Sequence, residues 1–114
     1  MHELSLCRAI ADTVTRYADG QRVQRVDVRI GYFRQVVPDS LMFSWELLTD
    51  GTALADCGLV VEQVPAVIEC RSCRQQTVID WPVLLCSRCA SRDVELLSGD
   101  EFLIASITRT KEAC

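Results

Sequence analysis

Cys70, Cys73, Cys86 and Cys89 are the residues of this sequence whose types and spacing point most directly to chemistry. They form two C-x2-C pairs separated by the twelve residues 74–85. A two-residue gap lets one tight turn aim two thiols at a single point. Two such turns facing each other place sulfur on every corner of a tetrahedron. Structural Zn²⁺ prefers that donor set, with Zn–S arms of about 2.3 Å and no position left open for substrate. The spacing is close to that of zinc ribbons and slightly short in the middle. Two disulfides, or two independent redox pairs, are the competing readings of the same residues. A zinc site of this kind would hold a lobe together without stating what the chain does.

A second set of donors opens the chain, Met1-His2-Glu3. A free terminal amine, the amide nitrogen of residue 2 and the imidazole of that residue can close consecutive chelate rings on one ion. The Glu3 amide can supply a fourth nitrogen. Four nitrogens in a plane suit Ni²⁺ or Cu²⁺ and suit Zn²⁺ poorly. The amine must first lose its proton, from a pKa of about 7.7–8.0, so such a site weakens as pH falls. On residue types alone the alternative stays open, that a histidine beside an initiator methionine is an untethered surface residue. His2 is the sole histidine, so metal chemistry outside the thiols must use it, carboxylates or backbone groups.

Composition bounds what else the chain can be. At 114 residues it has the length of one domain with room for a small module, and 49% hydrophobic residues are enough for a core. Twelve Lys and Arg against sixteen Asp and Glu give a net charge of −4, the wrong sign for a nucleic-acid binder. Arg71, Arg74, Arg88 and Arg92 cluster near the cysteine turns, where they read first as solvation of a small lobe. No apolar stretch approaches the length of about 18 residues that a membrane span requires. The polar, acidic opening lacks the basic segment and apolar run of a secretory signal. Seven cysteines without such a signal are expected in a reducing cytoplasm, as metal ligands rather than disulfides. No nucleophile–base pairing and no Gly-rich phosphate loop is visible, so an enzyme is not expected.

The elements that must position these groups are legible from periodicity. In residues 4–19, Leu4, Cys7, Ile10, Ala11, Val14, Tyr17 and Ala18 fall on one helical face and Arg8, Asp12 and Arg16 on the other, with Gly20 as the stop. Val26, Val28 and Ile30 alternate with Arg25, Asp27 and Arg29 as a half-buried strand ending at Gly31. Pro38-Asp39-Ser40 opens a second helix to about Leu48, with Asp39 or Ser40 as the expected cap and Leu41, Trp45 and Leu48 as its buried stripe. A second strand spans 59–64 and stops at Pro65, and a third spans 102–108. The expected fold class is α+β, two helices packed on a small three-stranded sheet with an inserted zinc-ribbon-like lobe. The domain division is 1–66 plus 99–114 for the first lobe and 67–98 for the zinc lobe.

The opening Met1-His2-Glu3-Leu4-Ser5-Leu6, the strand end Val28-Arg29-Ile30-Gly31 and the segment Val37-Pro38-Asp39-Ser40-Leu41 resemble the HypA/HybF family of nickel-insertion accessory proteins. So do Gly51-Thr52, Val64-Pro65-Ala66 and the cysteine quartet, and together they cover nearly the whole chain in order. The resemblance implies a non-catalytic metallochaperone that delivers Ni²⁺ during maturation of [NiFe]-hydrogenase, and in some organisms serves urease. It implies nickel held by His2 with the Met1 amine and nearby amides, Glu3 as a supporting residue, and Zn²⁺ on Cys70, Cys73, Cys86 and Cys89. The partners it implies are a maturation GTPase of the HypB type and the hydrogenase large subunit. Urease accessory proteins and a weak homodimer stay open; nucleic acid and membrane are not expected.

Three departures stand out. The second cysteine turn usually reads Cys-Pro-x-Cys-Gly-Ser and here is Cys86-Ser87-Arg88-Cys89-Ala90-Ser91, without the glycine that most easily adopts a positive φ. The usual Glu-Gly after the Gly-Thr turn is Ala55-Asp56, and the last strand ends in Thr108-Arg109-Thr110 instead of an acidic pair. Cys7 and Cys57 are expected to be small buried residues and Cys114 an exposed one, none of them a ligand. The alternative function is a zinc-ribbon interaction or nucleic-acid module without nickel delivery, which leaves Met1-His2-Glu3 unexplained.

Overall fold

The computed structural model describes the backbone of residues 2–109 and the side chains of residues 3–109. Met1 and Cys114 lie outside the described residues. Helix α1 (His2–Ala18) is followed by strand β1 (Val23–Gly31), a 3-10 turn (Tyr32–Arg34) and helix α2 (Pro38–Thr49). Strands β2 (Gly58–Val64), β3 (Ala66–Cys70), β4 (Gln76–Ile79), β5 (Val94–Ser98) and β6 (Phe102–Arg109) complete the order. Two three-stranded sheets result, one ordered β2-β1-β6 and one ordered β4-β3-β5. The fold is α+β, as the periodicities imply. No helix among the described residues is long and apolar enough to cross a membrane.

The chain divides into two compact units, one of residues 1–29, 36–62 and 103–114, the other of residues 30–35 and 63–102. In the first unit, α1 buries Cys7, Ile10, Val14 and Ala18 at the 3-4-4 spacing of one helical stripe. Leu4 and Tyr17, expected on that stripe, are exposed instead. Tyr17 precedes Ala18 by one residue, a rotation of about 100°, and the small Ala18 takes the inward position. Left-handed backbone at Asp19 and Gly20 (φ +50° and +82°) ends the helix, and the Gln21 amide donates to the Ala18 carbonyl at 2.9 Å. The Arg109 guanidinium donates to the Tyr17 carbonyl at 2.7 Å, placing a cation at the negative end of α1. The last strand's departure from an acidic pair thus has a structural use here.

Helix α2 is not capped as expected. Its N-cap is Val37, without a side-chain hydrogen bond, and Pro38 occupies the first turn, where its missing N–H leaves nothing unsatisfied. Asp39 therefore lies inside the first turn, where a carboxylate favours the helix dipole. Leu41, Trp45 and Thr49 are buried, and Leu48 is half-buried. The Cys7 thiol lies 3.4 Å from the Leu41 carbonyl, and the two helices pack together at that point. The Trp45 indole donates to the Cys57 carbonyl at 2.9 Å and ties α2 to the loop that follows it. Both Cys7 and Cys57 are buried, in agreement with their expected role as filler.

In the second unit β3 is the central strand, antiparallel to both neighbours: Ile68 faces Thr77 of β4 and Leu96 of β5, with a bulge at Val67/Ile68. Ala66, Ile68 and Ile79 form a small core against which Tyr32, Phe33 and Val94 pack. This sheet left no clear periodic signal in the sequence, because its strands are four or five residues long. Gly31 and Gly99 meet at backbone distance, since a Cβ on Gly31 would collide with the Gly99 carbonyl group. A Cβ on Gly99, whose φ is +111°, would collide in turn with Ala66. That close approach lets the Phe33 amide donate to the Gly99 carbonyl, and the Gly31 amide to that of Glu101, both at 2.7 Å.

Candidate metal centre

The four cysteines of the second unit come together. The sulfurs of Cys70 and Cys89 lie 3.6 Å apart, as do those of Cys73 and Cys86, and all four lie within 4.8 Å of one another. A tetrahedron with arms of about 2.3 Å has edges of about 3.8 Å, so the spacing matches a single tetrathiolate-bound ion. The same distances are far longer than a disulfide bond of about 2.05 Å, and Cys70, Cys73, Cys86 and Cys89 are free thiols.

Two turns of the same design build the site. Cys70 ends β3, and the Arg74 amide donates back to the Cys70 carbonyl at 2.9 Å. In the second turn the Ala90 amide donates to the Cys86 carbonyl at 3.0 Å. The first sulfur of each pair accepts the backbone N–H of the second cysteine, Cys73 onto Cys70 and Cys89 onto Cys86, both at 3.5 Å. The residue after each pair has left-handed backbone, Arg74 at φ +66° and Ala90 at φ +60°. Ala90 therefore keeps the turn that glycine usually serves. The Thr77 and Ser87 hydroxyls meet at 2.8 Å and fasten the second turn to β4.

The amides that face the sulfurs also divide their charge. The Cys73 backbone N–H, with help from those of Ser72 and the nearby thiols, brings the Cys70 thiol down to about 6. The Cys89 and Arg88 amides likewise lower Cys86. Cys89 has the Ser91 amide in its favour, yet its thiol neighbours Cys70, Cys86 and Cys73, together with burial, push it up to about 12. The thiolate form is thus favoured at Cys70 and Cys86 and disfavoured at Cys89, a charge problem that a bound cation removes. Cys70 and Cys86 are buried, Cys73 is half-buried and Cys89 exposed.

Of the arginines around the turns, Arg71 pairs with Asp93 at 3.0 Å and Arg74 with Glu69 at 3.5 Å. Those two are neutralised locally and do not form the basic face that a phosphate backbone needs. At the other end of the chain, Met1 lies outside the described residues. His2 is the first residue of α1 with its side chain outside them, and Glu3 is half-buried in the first turn. Sequence reasoning passed over Tyr32 and Phe33, and noted Arg109 only as a departure without a structural role. The aromatic pair directly after Gly31 was the available signal, since two large rings at a strand end need something to cover.

Residues 1–109 match the family profile described as hydrogenase/urease nickel incorporation, metallochaperone, hypA. The chain belongs to the HypA family. Among curated relatives, the hydrogenase maturation factor HypA of Nostoc punctiforme is 33% identical over 114 residues, covering 100% of this chain and 99% of its own length. The HypA of Streptomyces avermitilis is 38% identical over 112 residues, covering 94% of this chain and 86% of its own. The solution structure of the Ni metallochaperone HypA from Helicobacter pylori aligns with a TM-score of 0.66 at 19% identity, covering 96% of this chain and 98% of that one. This HypA-family chain thus combines the family's fold with a cluster of four thiols able to hold one metal ion.

Proposed function

We propose that this chain is a nickel carrier for [NiFe]-hydrogenase maturation, with urease as a second client class. Ni²⁺ is held at the amino terminus by the Met1 amine, the His2 imidazole and amide and the Glu3 amide. Structural Zn²⁺ is held by Cys70, Cys73, Cys86 and Cys89. The observation that carries the reading is the match to a nickel-incorporation family along residues 1–109. The separation of roles is supported by donor chemistry: four sulfurs with tetrahedral spacing suit Zn²⁺, and a planar set of nitrogens suits Ni²⁺. The nickel-binding domain is 1–66 plus 99–114 and the zinc-binding domain 67–98.

The chain acts as a carrier rather than a catalyst, so GTP hydrolysis belongs to a partner GTPase of the HypB type and nickel passes toward the hydrogenase large subunit. Its place of work is the cytoplasm, where thiols stay reduced. Calorimetry of Ni²⁺ binding to the untagged chain and to His2→Ala tests the reading. One nickel per chain is expected for the native sequence, with binding lost in His2→Ala while zinc content is unchanged. Nickel bound by His2→Ala at native affinity would place the cargo site elsewhere.

A further inference from the structure

Helix α2 carries a second apolar stripe that the core does not use. Residues along a helix turn by about 100° each, so Asp39, Phe43, Glu46, Leu47 and Asp50 share the face opposite buried Leu41 and Trp45. Phe43 and Leu47 stand one turn apart and are each 61% exposed. Single exposed apolar residues are ordinary, but an aromatic and a leucine at i, i+4 form a contiguous stripe. Exposed Asp39, Glu46 and Asp50 rim it. None of these three carboxylates takes part in an ion pair among the described residues, and α2 contains no lysine or arginine. Glu46 and Asp50 repel each other at i, i+4 and crowd the negative end of the helix, where cations are favoured.

We infer that the Phe43–Leu47 face of α2 is a docking surface for a basic amphipathic helix of another protein. Its apolar stripe covers Phe43 and Leu47, and its lysines or arginines meet Asp39, Glu46 and Asp50. Charge selects this occupant over a second copy of the chain. A two-fold contact would set the same carboxylate-rimmed face against itself, in a protein whose net charge is already −4. The face lies on a rigid helix tied down by Leu41, Trp45 and Thr49, so little ordering is needed on binding. The proposal is independent of the nickel reading, because it uses no residue of either metal site.

The test uses the full zinc-loaded chain and a synthetic Leu/Lys peptide of about 18 residues with its leucines at i, i+3, i+4 and i+7. A Leu/Glu peptide of the same pattern serves as control. Amide shift changes on adding the lysine peptide should concentrate in residues 39–50, and the glutamate peptide should produce none there. Phe43→Ser combined with Leu47→Ser should weaken binding by about tenfold or more, and Glu46→Lys with Asp50→Lys should shift preference to the glutamate peptide. The substituted residues are exposed, so circular dichroism and zinc content should match the native chain. Shift changes centred elsewhere, or affinity unchanged in the Phe43→Ser/Leu47→Ser variant, would overturn the assignment. Sedimentation showing a native dimer that the same variant converts to monomer would overturn it in favour of a second copy.

Discussion

Arg74 and Ala90 occupy equivalent places in the two C-x2-C turns. Each follows the second cysteine of its pair, each donates its amide to the carbonyl of the first, and each adopts left-handed backbone. The left-handed region costs a residue with a Cβ roughly 1–2 kcal/mol, and glycine little. Ala90 therefore carries strain that the four sulfurs and their amides hold in place.

Ala90→Gly should stabilise the cysteine unit by about 0.5–1 kcal/mol, the relieved strain less the extra freedom of glycine in the unfolded chain. Ala90→Val should destabilise it by more than about 1 kcal/mol, since a branched Cβ tolerates positive φ poorly. Chelator challenge reads both: metal loss should be slower than native in the glycine variant and faster in the valine variant. Equal rates in all three would show that the turn is not strained at Ala90.

Metal removal should act on one unit only. The core of Ala66, Ile68 and Ile79 is small for the backbone it must order, so ion binding and folding are one process there. Stripping the ion, or Cys73→Ala, should abolish amide protection in 66–98 while α1 and α2 keep theirs, as hydrogen exchange would show. Protection lost equally in both units would mean a single cooperative block.

Gly99→Ala should cost more than about 3 kcal/mol. The new Cβ meets Ala66 in a chain segment at φ +111°, and the Gly99 carbonyl that receives the Phe33 amide would be displaced with it. Urea denaturation followed by Phe/Tyr near-ultraviolet dichroism checks this, and a loss below about 1 kcal/mol would mean the backbone yields.

Burial, and then the charge of Glu3, push the Cys7 thiol from its ordinary 9.0 up to about 11. A raised thiol pKa favours the neutral form in the folded state. Its stabilising contribution is therefore complete below pH 9.0 and is lost as pH rises through about 11. Urea midpoints of the native chain should fall across that window more steeply than those of Cys7→Ala, which has no thiol to titrate. Parallel slopes would show that Cys7 ionises as freely as in the unfolded chain.

The two helices, the strands at β1, β2 and β6 and the pairing of cysteines were legible because each rests on a local pattern: a helical stripe, alternation, or a two-residue gap. What escaped was long-range or exceptional. The 3-10 turn at Tyr32–Arg34 belongs with a sheet beginning more than thirty residues later, and no period connects them. The α2 cap was misread because Asp39 and Ser40 are good capping types, whereas Pro38 at the first turn moved the boundary to Val37. Arg109 could not be tied to Tyr17 from sequence, since 92 residues separate them.

Strand β6 is paired with β1, which ends about seventy residues earlier, so the first unit's sheet closes only through a long-range contact. Every residue of the cysteine unit, by contrast, precedes position 103. All four thiols therefore lie ahead of the strand that completes the first unit's sheet. A chain cut after residue 102 should still hold its ion while β1 is left with an open edge, so metal loading and closure of the first sheet are separable steps.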